Sequence, residues 1–174
     1  YDVAIELVEG ELTDHYDPRN KVLRLSESVY DSTSVAAVGV AAHECGHAIQ
    51  HARAYLPLKL RTAIVPAANI GAGLSWPLIL VGLMIGSRSS NFFITAGILL
   101  FSLSVLFQLV TLPVELNASN RAVRALADMG ILYGDEVKGT RKVLSAAALT
   151  YVAAAAASVL QLLRLLLLFG RRDD

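Results

Sequence analysis

Histidines at positions 43 and 47 and a glutamate at 44 form an H-E-x-x-H pattern inside residues 35–51, VAAVGVAAHECGHAIQH. Residues four apart on a helix project from one face about a turn apart, so His43 and His47 can both reach a single metal ion. Zinc suits such a pair best, at one ion per chain. Glu44 then stands beside a water activated by that ion and can take its proton, which points to hydrolysis rather than metal storage. Two core histidines that are merely hydrogen-bonded to their surroundings would give the same spacing but no reason for Glu44.

Two neighbours of the motif invite other readings. His51 lies four residues beyond His47, but on a continuous helix it is about 12 Å along the axis from His43, too far to share one ion at bonds of about 2 Å. It is read as a residue of the surrounding shell or of the helix surface, and the third ligand must come from elsewhere. Cys45 lies two positions from both histidines, on the other side of the helix, and is read as a small buried residue rather than a nucleophile. As the only cysteine it excludes an internal disulfide.

The elements that must position these groups can be read outward from the motif. The run Val35 to Ala42 is small and apolar without proline, preceded by Asp31, Ser32, Thr33 and Ser34 as capping candidates, so a helix over 35–52 is expected. Before it, residues 1–8 and 21–25 alternate as short strands, giving a small β region over 1–30. An exposed strand edge beside a metal site would suit an extended peptide, whose backbone it can pair. Between the strands, LTDHYDPRN is rich in turn formers. His15 sits there between Asp14 and Asp17, as part of a surface hairpin rather than a second metal site.

The chain has 174 residues, enough for one domain, and zero net charge, which argues against nucleic acid. It is 55% hydrophobic with mean hydropathy +0.53, and the excess is concentrated. Between Arg61 and Glu115 the only charged residue is Arg88, and between Lys142 and Arg164 there is none. A transmembrane hairpin is therefore expected, with spans 64–85 and 92–112 joined by the polar GSRSSN. Pro66 and Pro77 could kink its first helix, and Ala67, Ala68, Gly71 and Ala72 give it a small-residue stripe for close helix contact. A long apolar helix follows over 140–169, with an alanine tract at 153–157.

The hairpin returns the chain to the side it left. There LPVELNASNRAVRALADMG begins a polar helix over 113–130, and Glu115 is its first acid. A carboxylate delivered on the side of the H-E-x-x-H helix is the expected third ligand, although an acid early in a helix also suits the helix dipole. Six basic residues precede the hairpin and five lie between it and the last helix, against Arg88 in its turn, so the metal side is expected in the cytoplasm. Arg171 and Arg172 oppose that tendency if the last helix crosses. Tyr133, Arg121, Arg124 and His15 are candidates by chemistry to stabilise an oxyanion, with no ranking among them.

With HECGHAIQ, the hydrophobic hairpin and LPVELNASNRA on the page, together with LTDHYDP and LRLSESVY, the chain resembles the YugP-like membrane zinc metallopeptidases of bacteria. More remotely it is similar to the HtpX-like and CAAX-prenyl membrane proteases. The resemblance implies a mainly α membrane protein, with zincin-like catalytic helices, a small N-terminal β-sheet, a transmembrane helical hairpin and a long C-terminal apolar helix. It implies zinc held by His43, His47 and Glu115 with Glu44 as base, in an endopeptidase of the bacterial cytoplasmic membrane that acts on proteins or peptides at the cytoplasmic face. It departs from the wider glutamate-zincin pattern where an aspartate often follows four residues after the ligand glutamate; here Ser119 stands, with Asn117 and Asn120 nearby. Ser119 and Asn117 are thus the candidates to support a ligand histidine, more weakly than a carboxylate would. Members of this family normally begin with another transmembrane helix, so an N-terminal segment is expected to be missing here.

The bilayer and a protein or peptide substrate are the implied partners, and oligomerisation is left open. Two rival readings are an intramembrane protease of the site-two type and a non-catalytic membrane scaffold with a structural metal. The first expects an Asp-Gly ligand motif in a later span, yet no aspartate occurs between Asp31 and Asp128. The second gives Glu44 no role.

Overall fold

The computed structural model describes residues 2–85 and 90–170. Three short strands come first: β1 (Ala4–Val8), β2 (His15–Asp17) and β3 (Val22–Ser26). A single turn, α1 (Glu27–Tyr30), leads into α2 (Val35–Ala52), and three long helices follow: α3 (Leu56–Ile85), α4 (Ser90–Asp128) and α5 (Asp135–Phe169). The protein is therefore mainly α with a small N-terminal sheet. The last three helices are long and apolar enough to cross a membrane.

The chain forms two compact units, one of Tyr1–Leu58 with Pro113–Thr150, the other of Lys59–Leu112 with Tyr151–Asp174. In the first, β3 is the central strand, parallel to β1 and antiparallel to β2. The expected loop around His15 is thus partly a strand: Tyr16 pairs with Leu23, and the turn after it is closed by Asp17, whose carboxylate accepts from the Arg19 and Asn20 backbone N–H groups. The turn that the turn formers in LTDHYDPRN imply lies at Pro18–Asn20, whereas His15–Asp17 is a strand in which only three residues pair and no alternation is visible. Asp14 also serves the sheet, accepting from the backbone N–H and hydroxyl of fully buried Ser26.

Helix α2 begins where its sequence permits a cap: the Ser34 hydroxyl accepts from the Ala37 N–H at 3.2 Å. Against α2 lies the C-terminal part of α4, and at their crossing Gly46 faces the backbone of Ala118, where a Cβ would come within 2.5 Å of the Ala118 carbonyl oxygen. Helix α5 braces the pair through Leu144, packed with Ala122 and Val123, and through Thr140, whose hydroxyl donates to the Val35 carbonyl at 3.4 Å.

In the second unit α3 packs on α4 along Ala68, Gly71, Ser75, Ile79 and Gly82, a stripe spaced by three and four residues. Close backbone approach replaces large side chains there, as is usual where lipid supplies no hydrophobic drive between helices. The expected stripe is half right: Ala68 and Gly71 are buried, whereas Ala67 and Ala72 face outward. Of the alanines at 153–157 only Ala155 is buried. Ile79, Ile94, Ile98 and Leu165 form the unit's core, and Ser158 and Gln108 are hydrogen-bonded at 3.0 Å.

The expected break at residue 113 is absent, because α4 runs through Pro113. A proline inside a helix forfeits one hydrogen bond and resembles a helix start in sequence, yet apolar helices tolerate it. Helices α3 and α5 also begin earlier than the expected 64 and 140: α5 opens with polar turns that carry no apolar signal, and in α3 Pro57, Lys59 and Arg61 interrupt the leucines at 56, 58 and 60. Most of the expected GSRSSN turn, with Arg88, lies outside the described residues, as do Arg171 and Arg172.

Candidate metal centre

All the groups of the site lie in the first unit. His43 and His47 project from α2 with their rings edge to face, 4.8 Å between centroids. One oxygen of Glu115, from α4, lies 3.1 Å from His43 Nε2 and 3.5 Å from His47 Nε2. Ligands around a tetrahedral ion with bonds of about 2.0–2.1 Å are about 3.3 Å apart, so each histidine nitrogen stands from the Glu115 oxygen at the spacing of two ligands on one ion. His43, Glu44 and His47 also offer ligand atoms all within 4.8 Å of one another. The donor set, two imidazoles and a carboxylate, fits zinc.

Each imidazole is held by its far nitrogen. His43 Nδ1 lies 3.0 Å from Ser119 Oγ, and His47 Nδ1 lies 3.0 Å from Gln50 Oε1. The amide oxygen of Gln50 can only accept, so a neutral His47 bonded to it holds its proton on Nδ1, the tautomer that offers Nε2 to a metal. Gln50 is in turn fixed, its Nε2 donating to the Val114 carbonyl at 2.8 Å and to Asn117 Oδ1 at 3.1 Å, and it is fully buried. Asn117 also accepts from Arg121 Nε at 2.7 Å, and the Arg121 guanidinium lies over the Tyr55 ring.

Glu44 is 8% exposed, and its carboxylate accepts the backbone N–H of Tyr16 on strand β2 at 2.9 Å. The Tyr16 hydroxyl pairs with His51 Nδ1 at 2.9 Å, so β2 is tied to α2 at two points. Burial pushes the Glu44 carboxyl above its ordinary range and the Glu115 charge adds to this, although His47, His43 and the Tyr16 N–H oppose it. For His47, burial disfavours the charged ring, but the hydrogen bond and charge of Glu115, the charge of Glu44 and the bond to Gln50 outweigh it and raise the value.

The residues singled out in the sequence therefore separate. Ser119 touches His43, Asn117 reaches the site through Gln50, and Arg121 is held to Asn117. His15 sits on β2 next to Tyr16, exposed, with its ring against the Thr13 carbonyl. Arg124 and Tyr133 are exposed and make no side-chain hydrogen bond or ion pair with these groups among the described residues. Cys45 is exposed rather than buried, because α4 packs on the side of α2 that carries Gly46 and Gln50. Gln50 and Tyr16 were missed. Gln50 had a signal, an amide three residues after a ligand-type histidine; Tyr16 had none, because it acts through its backbone.

With this geometry in view, two comparisons bear on the chain. The model of a family described as "Putative neutral zinc metallopeptidase" matches residues 1–170. A Bacillus subtilis protein described as "Putative membrane protease YugP" is 51% identical over 175 residues, covering all of this chain and 76% of that relative. No solved structure matches.

Proposed function

The chain belongs to this neutral zinc metallopeptidase family, and from that premise we propose that it is an endopeptidase whose zinc is held by His43, His47 and Glu115 and whose general base is Glu44. The observation that carries the reading is the convergence of both Nε2 atoms on one Glu115 oxygen, at 3.1 and 3.5 Å, with each far nitrogen already engaged. When bound, zinc supplies a Lewis acid that makes water a nucleophile near neutral pH and polarises the scissile carbonyl. Glu44 takes the proton of the attacking water and passes it to the leaving amine, a task helped by its raised affinity for protons. Ser119 and Gln50 keep the two rings aimed.

Strand β2 suits an extended peptide, since it pairs with β3 along one side only and its Tyr16 N–H already meets the base. His15, exposed on the same strand, is the oxyanion candidate that this placement favours over Tyr133 and Arg124. The distribution of basic residues supports a site at the cytoplasmic face of a bacterial membrane, with membrane proteins or membrane-near peptides as substrates. The apolar helices make the lipid bilayer the protein's medium.

Substituting Glu44 by Gln tests the reading. Zinc content should stay at the wild-type level while hydrolysis of a casein-type substrate falls by on the order of a thousandfold or more. A variant that keeps its hydrolytic rate would remove Glu44 from the mechanism, and one that keeps a biological function without hydrolysis would favour the scaffold.

A further inference from the structure

His51 extends the H-E-x-x-H run by one more turn, yet the metal centre gives it no role. It lies seven residues beyond Glu44, which puts the two side chains on one face of α2, about 10 Å apart along the axis. A single residue of β2 spans that interval. The Tyr16 backbone N–H donates to Glu44 Oε2 at 2.9 Å, while the Tyr16 hydroxyl pairs with His51 Nδ1 at 2.9 Å, the two rings tilted and 5.8 Å apart.

The strand makes this double engagement possible. Tyr16 stands opposite Leu23 of β3, and in an antiparallel pair the main-chain groups of successive residues turn alternately toward the partner strand and away from it. The Tyr16 N–H goes to Glu44, so it points to the free edge of β2 while His15 and Asp17 pair with β3. A three-residue strand has few ladder bonds to fix such an N–H, and a segment held so sparsely opens at little cost. The Tyr16 side chain supplies a further hold. With two rotatable bonds and a hydroxyl at its tip, it passes the restraint at His51 back to its own main chain.

We propose that Tyr16 and His51 form a positioning pair for the reaction: His51 fixes the Tyr16 side chain, and through it the N–H that aims the Glu44 carboxylate. The inference rests on Glu44 as the base. It adds that the base is aimed from outside its own helix, and that His51 serves the base rather than the metal. A base turned away from its water loses rate and not substrate affinity, because the proton moves only in the transition state. A tie that merely held β2 in place would cost stability and leave kcat where it was.

The experiment uses the full chain with zinc and a fluorogenic casein peptide. Tyr16→Phe and His51→Ala should each lower kcat by about 10–100-fold, with KM and zinc content within about twofold of wild type. The double variant should fall no further than either single one, and in a Glu44→Gln background Tyr16→Phe should leave the residual rate within about twofold. A second readout needs neither metal nor substrate: exchange of the Tyr16 amide hydrogen should speed up about tenfold in His51→Ala, with the amides of β1 and β3 unchanged. Wild-type kcat in either single variant, a loss carried by KM or by zinc, losses that multiply in the double variant, or an unchanged Tyr16 amide overturns the inference and leaves Glu44 as the base. Faster exchange across β1 and β3 as well would make the tie structural and overturn it too. A Glu44→Gln variant at full rate removes the base, and this inference with it.

Discussion

Gln50 is the residue on which the centre's rigidity turns. Its amide accepts from His47 and donates twice, to the Val114 carbonyl and Asn117, so one buried side chain joins a proposed ligand on α2 to the helix that carries Glu115. Gln50→Ala should weaken zinc binding by about 10–100-fold, measured by competition with a chelator, because His47 loses the acceptor that fixes its tautomer. An unchanged affinity would mean that packing alone orients the ring. The raised proton affinities of His47 and Glu44 set a second expectation. Both groups bind protons more tightly folded than unfolded, so in metal-free protein their stability contribution is complete below their unfolded values and is lost as pH rises through the folded ones. Zinc requires neutral His47, so protons compete with it to a higher pH than for an ordinary histidine. The gain in melting temperature on adding zinc should therefore grow from about pH 5 to about pH 8. A gain that is flat over this range contradicts the coupling. At this scale the types and spacing of the residues singled out His43, Glu44, His47 and Glu115, and the structure brings their side chains together. The sequence concealed Tyr16, whose backbone N–H meets Glu44 and whose type carries no such message.

Between elements, the decisive distance is the approach of α2 to α4. Gly46 sits between the two histidines and Ala118 beside Glu115 and Ser119, so the closeness of these backbones is what brings the three candidate ligands together. A Cβ at Gly46 would meet the carbonyl oxygen, carbonyl carbon and Cα of Ala118 at 2.5–3.0 Å, none of which can rotate away. Gly46→Ala should thus cost about 1–3 kcal/mol of stability and lower zinc occupancy. Gly73→Ala, inside α3 where nothing lies within 4 Å of the added atom, should lower neither. Melting curves and metal analysis of the two variants check this, and equal behaviour would mean that the helices part without consequence. The helix pattern was legible as far as hydrophobic runs define it, and α2 was legible from its Ser34 cap to its end. What was not legible was continuity across Pro113, which reads as a boundary because proline favours first turns, and pairing in β2, which is too short to show a period.

Over the whole molecule, the two halves of the centre are separated by more than fifty residues that form an apolar helix pair, and α4 carries both the second half of that pair and Glu115. That arrangement was visible as charge-free stretches followed by a lone returning acid, and it yielded the membrane character and the third-ligand expectation together. Strand order was out of reach, since nothing in residues 1–26 distinguishes a hairpin from a sheet with β3 in the middle. The central claim is that a residue carried past the hairpin completes a centre begun before it. The most direct test is zinc per chain in purified wild type and Glu115→Ala, with Ser119→Ala as a variant that leaves all three ligands in place. The account predicts one zinc in wild type, nearly full occupancy in Ser119→Ala, and loss of zinc in Glu115→Ala; full occupancy in Glu115→Ala would place the third ligand elsewhere and contradict it.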